Sequence, residues 1–301
     1  MSEADLSTPA AVAAPVAALP PEPGALRAFW RRFSRRRGAL AGLVIVVLLG
    51  ILALGAEWIA PFDPTATDWG AVRAAPDPTH LFGTDEVGRD VLSRIVFGTR
   101  ASLGAGLTSV ALAVALGLPL GMLAGYAGGV VDGAIMRLTD ALLAIPFLIL
   151  AIALAAFLGP SLTNAMVAIG LSATSIFVRL TRAQVQAVAA EEFVEAARAI
   201  GNPPWRIALR HILPNIVPAI LVQATLTIAA AIIAEASLSF LGLGQQPPEP
   251  SWGSMLNTAK NFLDQAPWMA IWPGVSIFLA VLAFNLVGDG LRDALDPRER
   301  R

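Results

Sequence analysis

Glu191–Pro214 reads EEFVEAARAIGNPPWRIALRHILP, a polar, small-residue stretch between two long apolar runs. At 100° per residue, Ala189, Phe193, Ala196 and Ile200 fall on one side of a helix and Glu191, Glu195 and Arg198 on the other, the pattern of an amphipathic helix. Arg198 follows the two glutamates by one or two turns, which predicts ion pairs along the polar face. Gly201 comes where a helix end adopts positive φ. Asn202-Pro203-Pro204 blocks continuation, because a residue before proline avoids the helical region, and Pro204 suits the first turn of a new helix. The second helix is expected over Trp205–Leu213, with Pro214 opening the next run. A turn lying on lipid would be shorter and basic on its polar face; the mixture of acid and base here points to a protein contact.

Around this hairpin the chain is apolar. Its 301 residues are 56% hydrophobic and 14% charged, with a mean hydropathy of +0.67, whereas soluble domains carry about 25% charged residues. Lipid cannot satisfy open backbone groups, so spans are helices or closed barrels, and a spanning helix takes about 20 apolar residues. Uncharged runs of that order cover Gly38–Ala56, Ala101–Val131, Ala141–Val178, Ile212–Ala234 and Gln265–Gly288. The third is too long for one helix, and Gly159-Pro160-Ser161 divides it. Six spans are therefore predicted, roughly 39–59, 102–126, 140–158, 162–179, 215–236 and 268–288. A signal peptide is disfavoured because the first run, at 19 residues, exceeds the roughly 7–15 of such segments.

Sixteen of the 21 Lys/Arg residues lie on the hairpin's side: six from Arg27 to Arg37, Arg137, five from Arg179 to Arg210, and four from Arg292. The positive-inside rule then places the hairpin and both termini in the cytoplasm. The expected organisation is a basic tail (1–37), a first span with an outer segment (38–97), an all-α membrane domain (98–290) and a cytoplasmic tail (291–301). Residues 1–26, rich in Ala and Pro, are expected to be disordered.

Composition also excludes several functions. With no cysteine and two separated histidines, His80 and His211, neither a disulfide nor a His/Cys metal site is expected. The single lysine, Lys260, follows Ala259, so there is no Gly-Lys-Ser/Thr phosphate loop. A net charge of −1 gives no footprint for nucleic acid. No catalytic, cofactor-binding or metal residues are assigned.

Glu195-Ala196-Ala197, three residues, Gly201, then Leu213-Pro214 resembles the EAA motif of ABC importer permeases, E-A-A-x3-G-x9-I-x-L-P; only the isoleucine position departs, holding His211. Phe82–Leu103, Arg137–Pro146 and Glu235–Gly253 resemble the dipeptide/oligopeptide/nickel group, and the basic N-terminus with an extra first span resembles its C-type subunit. The resemblance implies a type I permease fold in a bacterial inner membrane. It implies a second, B-type permease as heterodimer partner, two ATPase subunits and an extracytoplasmic binding protein. It implies that the hairpin docks on the ATPase, with Glu195, Ala196, Ala197, Gly201, Leu213 and Pro214 in coupling. The expected function is import of peptides or a related solute. The alternatives are an ion-coupled secondary transporter, which requires mid-membrane charge or matched broken helices, and a membrane scaffold.

Other positions carry expectations of their own. Glu235 flanks an apolar run and is expected to snorkel or bond to another subunit. Asp140 is read as favouring the N-terminus of the third span. Trp252 and Trp268 are read as headgroup-level anchors. Ser172, Thr174, Ser175 and Thr227 are expected either to line a pore or to join helices.

Overall fold

The computed structural model describes residues 24–295; the expected disorder up to residue 23 and the last six residues of the C-terminal tail lie outside them. Apart from one isolated bridge between Thr84 and Asp90, every regular element among the described residues is helical. The expected all-α membrane fold is present, with helices that run well past the apolar runs that predicted them.

Part of the basic cluster forms α1 (Ala25–Arg35), and the first apolar run forms α2 (Arg37–Leu54). Gly55 ends α2 and a single turn, α3 (Ala56–Ile59), completes the expected 39–59 segment. Helix α4 (Val91–Ala127) begins eleven residues before the expected span because Asp90 caps it: its Oδ2 accepts the Ser93 amide at 2.8 Å. Its 37 residues extend roughly 55 Å, against about 30 Å of hydrocarbon. The helix runs unbroken through residues 97 and 98.

The expected third span is broken. Helix α5 (Gly129–Leu143) and helix α6 (Phe147–Leu158) meet at 90° across Ala144-Ile145-Pro146. Proline excludes its predecessor from helical space, so Ile145-Pro146 carried the signal for the break. Twelve residues give α6 only about 18 Å, too short to span. Asp140 lies in the last turn of α5, at the end of a helix, and its partner is Arg179; the expected helix N-terminus is absent.

Helix α7 (Leu162–Ala189) is capped by Ser161 and continues past residue 179 to the hairpin. The hairpin leads through α8 (Glu192–Ala199) and α9 (Pro204–Ile207) to α10 (Leu213–Phe240). Helices α11 (Trp252–Ala259) and α12 (Trp268–Leu295) complete the chain.

Close approach of small residues sets the packing. Helices α4 and α7 run parallel, and Gly117, Gly121 and Gly125 line their seam. A Cβ on Gly121 would stand 2.5 Å from Thr181 Cβ and 2.6 Å from the Val178 carbonyl. Helix α12 returns antiparallel to α2, and Arg36 pairs with Asp293 while Arg32 Nη1 donates to the Ala294 carbonyl at 3.1 Å. The described chain thus starts and finishes at the end that carries the hairpin.

Candidate functional site

The hairpin forms as its local rules require, but its seating reverses a simple amphipathic reading. The α8 end is a two-bond glycine cap: the Gly201 amide donates to the Arg198 carbonyl at 2.9 Å and the Asn202 amide to the Ala197 carbonyl at 3.2 Å, the Schellman arrangement. Gly201 has φ +80° with open space where a Cβ would stand. Asn202 Nδ2 adds a second bond to the Ala197 carbonyl at 3.2 Å.

Val194 and Ala197 are the buried residues of α8, packed in a cluster with Val185, Ile207, Ile212 and Ile216. They lie between the two faces read from periodicity. The apolar stripe is therefore left outside: Phe193 is 45% exposed and Ile200 80% exposed, and Ala196 and Glu195 are exposed beside them. Ala189 belongs to α7, since Ala190 and Glu191 separate the helices. The expected ion pairs do not form: among the described residues neither Glu191 nor Glu195 pairs with Arg198, whose guanidinium sits 6.0 Å from the Tyr126 ring centroid.

The second arm is continuous with the next span. Ala208–Ile212 takes a wider π-helical turn and leads directly into α10. A proline clashes with the carbonyl four residues back in a regular helix, and the wider turn just ahead of Pro214 accommodates it. Pro214 therefore does not end the helix. Leu213 packs against the hairpin's cluster, while Pro214 is exposed.

Helix α5 is tied to α7 beside the hairpin. Arg182 grips Asp132 through Nε–Oδ1 at 2.5 Å and Nη2–Oδ2 at 2.6 Å, the two-pronged geometry arginine favours. Arg179 holds Asp140. Neither pair follows from sequence periodicity, because 50 residues separate Asp132 from Arg182.

The opposite end of the bundle is a polar network. Asp85 accepts Arg89 Nε at 2.6 Å and the amides of Val87 and Arg89, with Arg94 Nε 3.4 Å away. Arg89 Nη2 donates to Glu86 Oε1 at 2.6 Å, while the other Glu86 oxygen is buried without a partner. Burial, then the neighbouring Asp85 charge, pushes the Glu86 carboxyl above its usual range. Trp268 Nε1 donates to the Thr84 carbonyl at 3.1 Å. Trp252 is 0% exposed, and its Nε1 donates to the Ile95 carbonyl at 3.2 Å. Both tryptophans are thus used in the protein's own packing, not as headgroup anchors.

Glu235 is fully buried and bonded within the chain; it neither snorkels nor waits for another subunit. Ser102 Oγ donates to its Oε2 at 3.0 Å and Ser239 Oγ to its Oε1 at 2.7 Å. Ser172, Thr174 and Thr227 are buried and donate to carbonyls four residues back in their own helices. They neither line an opening nor bridge helices, and Ser175 Oγ is buried without a partner.

Comparison with known proteins identifies the family. Residues 117–301 match the family described as binding-protein-dependent transport system inner membrane component, and residues 24–76 match the N-terminal TM domain of oligopeptide transport permease C. The chain is 44% identical to the di/tripeptide transport system permease protein DppC of Pseudomonas aeruginosa, over 92% of this chain and 93% of that one. It is 48% identical to the glutathione transport system permease protein GsiD of Shigella flexneri, over 90% of this chain and 89% of that one. A chain of the inward-facing methionine ABC transporter MetNI shares the fold, with a TM-score of 0.55, 21% identity, and coverage of 68% of this chain and 97% of its own. These similarities set aside the ion-coupled alternative. The chain belongs to the family of inner-membrane components of binding-protein-dependent transport systems, as a multi-pass, non-catalytic C-type permease of a bacterial ABC importer whose ATPase is a separate subunit.

Proposed function

We propose that this permease pairs with a different, B-type permease to import di- or oligopeptides delivered by an external binding protein, and that residues 191–214 transmit ATPase movement to the channel. The relatives' names, one a di/tripeptide and one a glutathione permease, support a peptide or peptide-like solute. The basic residues concentrated at the hairpin end support a cytoplasmic hairpin and termini.

One observation carries the coupling assignment: an apolar stripe, Phe193, Ala196 and Ile200, stands outside the fold beside Glu195. Burial of such a stripe against a partner is favourable, and the helix that presents it is held rigidly. Val194 and Ala197 seat α8 on the bundle, Gly201 sets the turn, and Leu213 and Pro214 join the second arm to α10. A force applied to α8 therefore reaches a spanning helix through continuous packing. Two ATPase subunits, one for each permease, complete the assembly.

Affinity purification of the tagged chain from mild detergent, with mass spectrometry of its companions, tests this. Recovery of a second permease together with ATPase chains is expected. A chain that purifies alone and moves solute without ATP contradicts the proposal.

A further inference from the structure

Helices α7, α10 and α12 enclose a cleft of about 740 Å³ in the hairpin half of the bundle. Its wall on α10 includes Asn215, Pro218, Ala219 and Gln223; Gln184 of α7 and Arg292 of α12 face the same space. The α10 positions follow an i, i+3, i+4, i+8 spacing, so they share one side of that helix. Val217 and Leu221 lie on another side of it and are exposed outside the cleft.

Asn215 and Gln223 are carboxamides within the expected 215–236 span, while Gln184 and Arg292 stand beyond the expected spans, at the hairpin-side mouth of the cleft. Asn215 Nδ2 donates to the His211 carbonyl at 2.7 Å and Gln223 Nε2 to Thr227 Oγ1 at 3.2 Å, which leaves both side-chain carbonyls to accept from something else. Pro218 has no N–H, so the Pro214 carbonyl also lacks its helical donor. Hydrocarbon offers no hydrogen bonds to any of these groups, and polar side chains inside a membrane protein face water-filled cavities or one another. The spanning helices' buried hydroxyls, such as Ser172 and Thr174, are by contrast already bonded to their own helices.

We infer that this cleft is the hairpin-side half of the solute path, and that Gln184, Asn215, Gln223 and Arg292 recognise the backbone amides and terminal carboxylate of a passing peptide. Carboxamides match peptide N–H and C=O groups in both directions, and a guanidinium matches a carboxylate. The inference rests on the peptide-importer reading above. It adds that α10 transmits the hairpin's movement and also contacts the solute.

The chain has no cysteine, so single thiols report without background. The test uses the assembled transporter in inverted vesicles, with labelling by a membrane-impermeant maleimide read on this chain alone. Ala219→Cys and Gln223→Cys are expected to react about tenfold faster than Leu221→Cys, because a thiol in hydrocarbon does not ionise, and trialanine with ATP is expected to slow both. Equal reactivity at the three positions, or a shielded cleft that cross-links to the second permease, overturns the inference. ATP-driven trialanine uptake by the unmodified complex is measured in parallel in right-side-out proteoliposomes that hold ATP. Its absence counts against the importer reading, while the thiol pattern still reports whether the cleft is wet.

Discussion

Ser102 of α4 donates its hydroxyl to Glu235 of α10 at 3.0 Å, and the same oxygen accepts the Trp252 amide at 3.3 Å. Ser239 completes the chain: it donates to the other Glu235 oxygen and accepts the Gln245 amide at 3.1 Å. One buried carboxyl group therefore joins α4, α10, α11 and the loop before α11 at the end of the bundle remote from the hairpin.

Removing that hub leaves the hydroxyl hydrogens of Ser102 and Ser239 without an acceptor. Glu235→Ala is expected to lower the stability of the purified complex by about 1–3 kcal/mol, the cost of orphaned buried polar groups. Glu235→Gln, which keeps an acceptor, is expected to lose less. Thermal unfolding in detergent measures both; equal losses would contradict the network's role.

Two glycines of α4 separate close packing from helix propensity. At Gly121 a Cβ would meet Thr181 and the Val178 carbonyl, whereas Gly104 has nothing within 4 Å. Gly121→Ala is expected to destabilise by about 1–3 kcal/mol through overpacking. Gly104→Ala is expected to be neutral or to stabilise by up to about 1 kcal/mol. The same unfolding assay compares them, and similar effects of the two substitutions would refute the seam.

At Gly201 the strain is in the backbone alone, because φ is +80° and space is open. Gly201→Val is expected to cost about 1–2 kcal/mol, and Gly201→Asn less, since asparagine tolerates this conformation. If the glycine acts only as a cap, ATPase recovery in pull-downs follows the stability loss. Recovery that collapses with Gly201→Asn at unchanged stability would show a direct contact.

The outward side of α8 predicts a different pattern. Glu195→Arg and Ile200→Ala are expected to leave membrane insertion intact and to reduce co-purification of the ATPase several-fold, because both side chains are exposed. Val194→Asp, which places a charge in the hairpin's cluster, is expected to lower stability as well. Undiminished ATPase recovery and uptake in the Glu195→Arg protein would dismiss the coupling role of that residue.

Glu86 gives the remote end a pH dependence. Burial and Asp85 raise its carboxyl above the usual range, with Arg89 and Arg94 opposing. The folded state therefore favours the protonated form. The contribution to stability is complete below the ordinary glutamate range and is lost as pH rises through the raised value. Unfolding temperature is expected to fall across that interval in the natural protein and to stay flatter in Glu86→Gln; indistinguishable profiles would exclude the effect.

The sequence by itself determined the spans and the hairpin's turn, features that act over a few residues, though not the expected ion pairs of Glu191 and Glu195 with Arg198. Apolar runs specified spanning helices, because lipid leaves the backbone no other way to bond itself. Asn202-Pro203-Pro204 and Gly201 specified the hairpin's turn, because proline sterics and positive φ are local. The break in the third span was missed: Ile145-Pro146 carries it by the same rule, but hydropathy runs through it. Helix ends set by polar caps, such as Asp90, were less legible, since α4 continues out of the apolar run into the outer segment.

Tertiary structure decided which surfaces are used. Periodicity separated the two faces of α8, but only packing against Val185, Ile207 and Ile216 placed Val194 and Ala197 inside and left Phe193 and Ile200 out. Trp252 looked like an interfacial anchor until its neighbours on α4 enclosed it. Glu235 and Ser102 lie 133 positions apart, as Asp132 and Arg182 lie 50 apart. Burial and polar pairing are properties of what a side chain meets in space. No local pattern encodes a partner brought there by the folding of another helix.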